Sequence, residues 1–308
     1  NSSVVDVLER DEIKRLKFMK YILSKAGLRC NNDILEARKP SLTPLLVFAP
    51  NRQHLVEELV SGLTAESTPD SHHLNFESNK DKFRIYRGFA QYKNADDSLL
   101  EQDQDEVIKS IVLPSASEDL PPPQLTPNFN VTEYFKYLNP NNSLGSMLMY
   151  GEVVTSTSAL LDSNKTLLSK FPENTLLHIG RIQISGRGRG GNVWVNPKGV
   201  SASTACVNLP LQSPRTGKPV SIVFVQYLAM LAYCKAIVSY APGYEDLPVR
   251  IKWPNDLYAL KPEYYNKNKM KLLNNGVDHN LVPLNDIEPA YVKISGLLVN
   301  TNFLNGKY

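Results

Sequence analysis

Residues 185–194 read Ser-Gly-Arg-Gly-Arg-Gly-Gly-Asn-Val-Trp, a glycine-rich loop that carries two arginines. Apolar segments flank this loop at 175–185 and 200–209, and each is predicted to form a β-strand. Glycine lets a backbone approach a ligand closely and aim its N–H groups at an anion. Arginine adds a permanent charge and two-point hydrogen bonding to a phosphate or carboxylate. The segment therefore predicts an anion-binding loop between two strands.

Two other interpretations of this loop are less favoured. RGG-type RNA-binding tracts contain several repeats, whereas the pattern occurs here once. The loop is also no Walker phosphate-binding loop, because the required Lys-Ser/Thr pair is absent.

Hydrophobic periodicity predicts further elements on both sides of the loop. Strands are predicted at 147–154, 249–253 and 292–299, and helices at 156–168 and 222–239. Strands mixed with a few helices in this order predict an α+β fold, in which helices pack on a mixed β-sheet.

The N-terminal part has a different pattern. An amphipathic helix is predicted at 9–28, and a strand at 45–49 is followed by a helix at 51–63, which is typical of an α/β unit. A proline-rich stretch that includes Pro121-Pro122-Pro123 predicts a linker. We therefore expect an accessory α/β domain at 1–114, a linker at 115–130 and a second domain at 131–308.

Composition limits the class of protein. The chain has 308 residues, with 34 Lys and Arg against 31 Asp and Glu, and the net charge of +3 is too small to indicate a nucleic-acid or membrane partner. Cys30, Cys206 and Cys234 form no CxxC pair, which favours a reducing compartment. The first 30 residues have no apolar signal core. A cytoplasmic location is therefore expected.

A second group of candidate site residues lies at 251–258, Ile-Lys-Trp-Pro-Asn-Asp-Leu-Tyr. Here a predicted strand ends at a proline and is followed by the amide of Asn255 and the carboxylate of Asp256. These groups suit Mg²⁺-bound phosphates or the orientation of a hydroxyl. Taken alone, they are more typical of a turn after a strand.

A third group is the predicted strand 292–299, Val-Lys-Ile-Ser-Gly-Leu-Leu-Val. A lysine in an apolar strand is costly to bury unless an anion compensates its charge, so Lys293 is a candidate cation for an anionic ligand. A lysine on a solvent-facing side of the strand is the alternative. Gly296 would let a ligand approach the strand closely.

Together, the motifs GRGRGGNVW, KWPND and KISGLLVN, in that order, resemble the catalytic domain of biotin protein ligases, the family that includes holocarboxylase synthetases, in its eukaryotic or fungal form. The resemblance covers roughly residues 145–308. It includes 152–158, Glu-Val-Val-Thr-Ser-Thr-Ser, where Ser158 replaces the usual Asn of a family motif, and also Gln183. The N-terminal part is similar in position and pattern to the extension of fungal and animal enzymes.

This resemblance implies an ATP-dependent ligase with Mg²⁺ as cofactor. Such enzymes join the biotin carboxylate to the α-phosphate of ATP, and a lysine of an acceptor carboxylase domain then attacks the biotinyl-adenylate. The implied partners are biotin, ATP and biotin-acceptor domains. The sequence shows no set of metal ligands that the protein alone could supply, and its five histidines have no ligand spacing.

The resemblance also implies roles for individual residues. The cations among them are expected to contribute most, because both steps concentrate negative charge near phosphorus and carbonyl oxygen. The implied catalytic residues are Lys293, Arg189 and Asp256. The residues implied for biotin binding are Ser156, Thr157, Gln183, Gly186, Arg187, Arg189, Trp194, Lys293 and Gly296. Those implied for ATP binding are Arg187, Gly188, Arg189, Gly190, Gly191, Trp194, Lys252, Asn255 and Asp256.

Two alternatives to a biotin ligase stay open: capture of biotin or its adenylate without turnover, and lipoate-type acyl transfer on the same fold. The end of the sequence bears on the first. Asn305-Gly306 is a strong hairpin-turn signal, yet two residues follow it. The family has a further glycine-rich motif and a small β-barrel after this point, so we expect a C-terminal part to be missing.

Overall fold

The computed structural model describes residues 11–30, 40–93, 108–115, 120–187, 193–194, 196, 199–264 and 290–301. The chain divides into two compact units, the first comprising 1–187 and 193–206 and the second 188–192 and 207–308. The predicted hairpin turn at 305–306 lies outside the described residues.

The described helices and strands are named here in chain order. The α-helices are α1 (Glu12–Lys25), α2 (Gln53–Thr64), α3 (Phe89–Lys93), α4 (Val131–Tyr137), α5 (Thr157–Ser163), α6 (Lys165–Leu168) and α7 (Ile222–Val238). The strands of the first unit are β1 (Leu45–Phe48), β2 (Thr68–Pro69), β3 (Leu74–Glu77), β4 (Lys82–Arg87), β5 (Lys109–Leu113), β6 (Met147–Val154), β7 (Leu176–Gln183), β8 (Gly186–Arg187), β9 (Val193–Trp194) and β10 (Ala202–Ala205). The strands of the second unit are β11 (Val249–Lys252), β12 (Asp256–Leu260) and β13 (Tyr291–Gly296).

An eight-stranded mixed sheet forms the centre of the first unit, in the order β10-β7-β6-β1-β5-β4-β3-β2. β5 runs parallel to both β1 and β4, and β6 runs parallel to β7. β1 is buried along its whole length, and its side chains alternate between two apolar clusters. Leu45 and Val47 belong to one cluster, and Leu46 and Phe48 to the other. Alternation with a period of two places these clusters on opposite faces of the sheet.

Helices cover both faces. Leu55, Leu59 and Leu63 of α2 join one cluster, together with Leu160 of α5 and Leu167 of α6. On the other face α3 contributes Phe89, and α4 contributes Val131 with its partly buried aromatic neighbours. The mixed sheet packed with helices confirms the predicted α+β class.

Strands on both sides of the predicted linker at 115–130 belong to this one sheet. β1 pairs antiparallel with β6, with Leu46 opposite Tyr150 and Phe48 opposite Leu148. Contacts therefore divide the chain near residue 206 rather than in the linker. The boundaries at 1–114, 115–130 and 131–308 stay a prediction about independently folding parts.

The second unit contains an antiparallel sheet, β11-β12-β13. Met230 of α7 packs against Val249 and Leu257, and it is the buried residue of that helix. Although α7 is apolar, no helix among the described residues has the length and hydropathy required to cross a bilayer.

Candidate functional site

The implied site residues fall into two groups, one in each unit. Ser156, Thr157, Gln183 and the β8–β9 residues belong to the first unit, whereas Lys252, Asn255, Asp256, Lys293 and Gly296 belong to the second. Gly188, Arg189, Gly190 and Gly191 lie outside the described residues.

Thr157 and Gln183 contact each other directly in the first group. The backbone N–H of Thr157 donates to Gln183 Oε1 over 2.8 Å, and the Thr157 hydroxyl donates to the same oxygen over 3.1 Å. A backbone N–H can only donate, so the amide oxygen of Gln183 must point at Thr157. The Nε2 amino group of Gln183 is then the part of the amide that can donate to another acceptor.

Ser156 is buried and precedes the first residue of α5. Its hydroxyl oxygen accepts from the backbone N–H of Ala159 over 3.3 Å and lies 3.4 Å from the Ser158 hydroxyl. This is the hydrogen bond that a serine makes at a helix N-terminus. Ser156 therefore begins the helix that positions Thr157.

Three further residues surround Thr157, namely His178, Gly180 and Thr204, and none of them is among the predicted site residues. His178 of β7 lies with Nδ1 3.0 Å from the Thr157 carbonyl oxygen, and the Thr204 hydroxyl donates to Thr157 Oγ1 over 2.9 Å. A Cβ added to Gly180 would lie 3.1 Å from Thr157 Cγ2. Burial lowers the pKa of His178 to about 4, although its hydrogen bond to Thr157 acts in the opposite direction. The sequence feature that could have pointed to His178 is a histidine inside an apolar strand. It has no spacing to another histidine that would suggest a metal ligand.

The start of the glycine-rich loop forms a short antiparallel ladder. Gly186 pairs with Trp194, and Arg187 pairs with Val193. Gly186 is buried. The ladder brings the backbones of both ends of the loop together, as expected for a loop that closes on itself between two strands.

Lys293 and Asp256 form the centre of the second group. Lys293 Nζ lies 2.7 Å from Asp256 Oδ1, and the side chains of the lysine and the aspartate are 33% and 20% exposed. Lys293 as a whole residue is exposed, so one part of its side chain meets solvent and the ammonium meets the carboxylate. The contact is an ion pair with poor hydrogen-bond direction, because Oδ1 is buried without a well-aligned donor. The structure thus supplies an anion for the lysine in the apolar strand.

Gly296 provides the space for this ion pair. Gly296 is the Cα partner of Asp256 in the β12–β13 ladder. A Cβ added at Gly296 would lie 3.2 Å from Lys293 Cε and Nζ, and 3.4 Å from Asp256 Oδ1. Such distances are tighter than ordinary van der Waals contacts. A side chain at this position would therefore crowd the ammonium group.

Asn255 and Lys252 take supporting positions next to the pair. The Asn255 side-chain amide donates to the Leu297 carbonyl over 3.2 Å, and Leu297 N–H donates back to the Asn255 carbonyl over 2.8 Å. Lys252 Nζ lies over the Tyr258 ring, 5.4 Å from its centroid. The predicted ATP contacts of these residues stay predictions.

The described residues offer few side chains that could bind a metal ion. They contain no group of three or more His, Cys, Asp or Glu side chains that could hold an ion. Asp256 supplies one carboxylate, whose Oδ1 contacts Lys293 Nζ. One carboxylate fits Mg²⁺ that is held mainly by substrate phosphates.

The sequence was compared with known proteins. The model of the biotin/lipoate A/B protein ligase family matches residues 150–303, which is half of the chain. The chain is 29% identical to biotin–protein ligase of Schizosaccharomyces pombe over 298 residues, which cover 96% of this chain and 43% of that protein. It is 28% identical to human biotin–protein ligase over 257 residues, which cover 82% of this chain and 31% of the human protein. The chain thus spans less than half the length of these curated relatives.

Two further proteins are similar to this chain over shorter stretches. Biotin–protein ligase 2 of Arabidopsis thaliana is 29% identical over 133 residues, which cover 42% of this chain and 37% of that protein. A crystal structure of biotin protein ligase from Leishmania major in complex with biotin is 20% identical and covers 40% of this chain, with a TM-score of 0.29. The resemblance seen in the motifs is confirmed by the family match over residues 150–303, and the chain belongs to the biotin/lipoate A/B protein ligase family.

Proposed function

We propose that this protein is a biotin–protein ligase. It would join the carboxylate of biotin to the α-phosphate of ATP, releasing pyrophosphate. The amine of an acceptor lysine would then attack the carbonyl of the biotinyl-adenylate, so that an amide forms and AMP leaves. The observation that carries the proposal is the Lys293–Asp256 ion pair beside Gly296, in a chain that belongs to the ligase family.

Lys293 is the proposed electrostatic catalyst. Negative charge develops on the α-phosphate oxygens and the leaving pyrophosphate when the new P–O bond forms, and on the carbonyl oxygen when the acceptor amine attacks. Asp256 fixes the ammonium at 2.7 Å, so the cation is positioned before substrate binds and needs no reorganisation during the reaction. Gly296 leaves room for the reacting groups beside that ammonium.

Recognition of the biotin head group is assigned to Gln183 and its neighbours. Because Gln183 Oε1 accepts both Thr157 donors, Nε2 supplies two N–H donors for an oxygen of the ligand. The ureido carbonyl and the carboxylate of biotin are the oxygens that suit these donors. Ser156 and Thr157 would contribute mainly by fixing this arrangement.

The arginines of the loop 185–194 complete the proposal. Arg187 and Arg189 would bind the carboxylate and phosphate, with loop N–H groups as further donors. Trp194 would pack near the biotin or the adenine. Mg²⁺ would arrive with the ATP phosphates and offset their charge, with Asp256 as its protein ligand.

The acceptors would be biotin-acceptor domains of carboxylases, modified in the cytoplasm. Cys30, Cys206 and Cys234 are all free thiols, as a reducing compartment requires. No nucleic-acid or membrane partner is proposed.

The test is MgATP-dependent pyrophosphate release with biotin, followed by transfer to a purified acceptor domain. Replacing Lys293 by Met should slow adenylate formation by about 10²- to 10³-fold, the usual effect of removing one electrostatic catalyst. Lys218→Met is the matched control in the same unit, because Lys218 is exposed. Biotin binding without pyrophosphate release would indicate capture alone, and turnover with lipoate but not biotin would indicate a lipoate-type ligase. Either result contradicts the proposal.

A further inference from the structure

His178 lies at the centre of the first-unit sheet, on the strand that leads to Gln183. β7 runs between β6 and β10, and His178 is the Cα partner of Met149 on one side and Thr204 on the other. Its side chain is completely buried. The His178–Thr204 cross-strand pair therefore provides two side chains at one fixed position in the core.

One hydrogen bond fixes the His178 ring. The Thr157 carbonyl can only accept, so Nδ1 must carry the proton and donate across the 3.0 Å contact. The other nitrogen, Nε2, is buried and has no hydrogen-bond partner among the described residues. Among the described residues, the hydrogen bond of the His178 ring is therefore the one to Thr157. This bond links the histidine to a residue outside its own strand.

Thr157 transmits this constraint to Gln183. The backbone N–H and the hydroxyl of Thr157 both donate to Gln183 Oε1, and Thr204 donates to the Thr157 hydroxyl oxygen. Each acceptor site of Gln183 Oε1 is then used, which fixes the amide with Nε2 directed elsewhere. A shift of Thr157 would release the amide to rotate.

We propose that His178 and Thr204 are positioning residues that act through Thr157 to fix the Gln183 amide as a hydrogen-bond donor to the ligand. The residues contact Thr157 rather than the ligand, and their effect is on affinity for the acid substrate. The inference rests on the proposed function for the identity of that substrate, biotin, and for the contact of Gln183 with it. The ligand group that Gln183 recognises is accordingly an acceptor oxygen.

The decisive variants keep or remove the donor at the position of Nδ1. In His178→Asn the side-chain amide can still donate to the Thr157 carbonyl, whereas His178→Leu fills similar space and cannot. We expect the Kd for biotin, measured by calorimetry, to rise about tenfold in His178→Leu and to change by less than about threefold in His178→Asn, in line with the loss of one hydrogen bond. The KM for ATP should stay at its wild-type value in both. His54→Leu, at an exposed position of α2, is the matched control.

Thr204→Val tests the second donor without altering shape. It should also weaken biotin binding, and the double variant with His178→Leu should lose less than the sum of the two, because both act through Thr157. Thr204→Val alone also covers the case in which His178→Leu does not fold. Strictly additive losses would overturn the common route through Thr157.

Amide hydrogen exchange tests the positioning without any ligand. Exchange at the Thr157 N–H should accelerate about tenfold in His178→Leu, while exchange at β1 amides stays unchanged. Unchanged exchange at Thr157, or equal losses of biotin and ATP affinity, would overturn the inference. Failure of the wild-type protein to bind biotin would instead reject the proposed function, and the exchange result would still decide the role of His178.

Discussion

Acidification should destabilise the first unit through His178. Burial holds the pKa of this ring at about 4 in the folded protein, against an ordinary value of 6.5. Above pH 6.5 both states are neutral, and the histidine does not affect the pH dependence of stability. As the pH falls through 6.5, the unfolded chain binds a proton that the folded chain cannot bind, so stability is lost until about pH 4.

The size of this loss follows from the pKa difference. A difference between 6.5 and about 4 corresponds to about 3 kcal/mol at a pH below both values. At pH 5 the unfolded state is almost fully protonated and the folded state mostly neutral, which gives a loss of about 2 kcal/mol. This is a large fraction of the stability of an ordinary domain.

Urea unfolding at pH 7 and pH 5 measures this loss. Carboxylates and other histidines also titrate, so the result is the difference between wild type and His178→Asn, which cannot titrate but can keep the bond to Thr157. Wild type should lose about 2 kcal/mol more than His178→Asn between the two pH values. His54→Asn, at an exposed position, is the control for the substitution itself. Equal pH dependence in wild type and His178→Asn would refute the reasoning.

Three further results are expected. Gly180→Ala should destabilise the protein by about 1–3 kcal/mol in urea unfolding, because the new Cβ would lie 2.5 Å from Val154 Cγ2; Gly62→Ala in α2, where the closest contact would be 3.4 Å, should be neutral or stabilising. Asn164→Leu should lower the free energy of unfolding by about 2–4 kcal/mol, because it leaves the backbone N–H groups of Lys80 and Asp81 without their acceptor; wild-type stability would contradict the structure. A fragment of residues 131–308 should not fold cooperatively by circular dichroism, because it removes the β1 partner of β6, whereas residues 40–206 should; the reverse result would support the predicted linker boundary.

Much of the local structure was predictable because it depends on neighbours in sequence. The strand at 147–154 agrees with Met147–Val154, and the helix at 222–239 with Ile222–Val238. Both are apolar segments with a clear period and clear ends. Gly296 lies beside Lys293 and Asp256, and its predicted role in the approach of a ligand stays a prediction.

The single helix predicted at 156–168 is wrong, since the structure contains α5 and α6 on either side of Asn164. The Asn164 side chain is fully buried, accepts from Lys80 and Asp81 N–H and donates to Asp81 Oδ2 over 2.7 Å. These partners lie more than 80 residues away in sequence. Periodicity reports only local spacing, so a break that is stabilised by distant partners left no signal.

The segments between the predicted elements show a second limit. Residues 64–82 are mostly polar, which is typical of a loop, yet they contain β2 and β3. Taken alone, Asn255 and Asp256 favoured a turn after a strand; Asn255 lies in such a turn, and Asp256 begins β12, which returns along β11. Such strands are short, and their stability comes from their neighbours in the sheet rather than from their own sequence.

The position of β7 explains why the Gln183 side chain, held by Thr157, would be rigid before a ligand binds. β7 pairs along its length with β6, and along Leu177–Gly180 with β10, so its backbone has partners on both sides. Thr157 is bonded to His178 and Gln183 of that strand and to Thr204 of the next. A ligand that contacts Gln183 would therefore bind a side chain whose orientation is already fixed in the folded protein. Binding would then not lose the conformational entropy of ordering that side chain. A loop residue in the same place would have to be ordered by each ligand, with a corresponding loss of affinity.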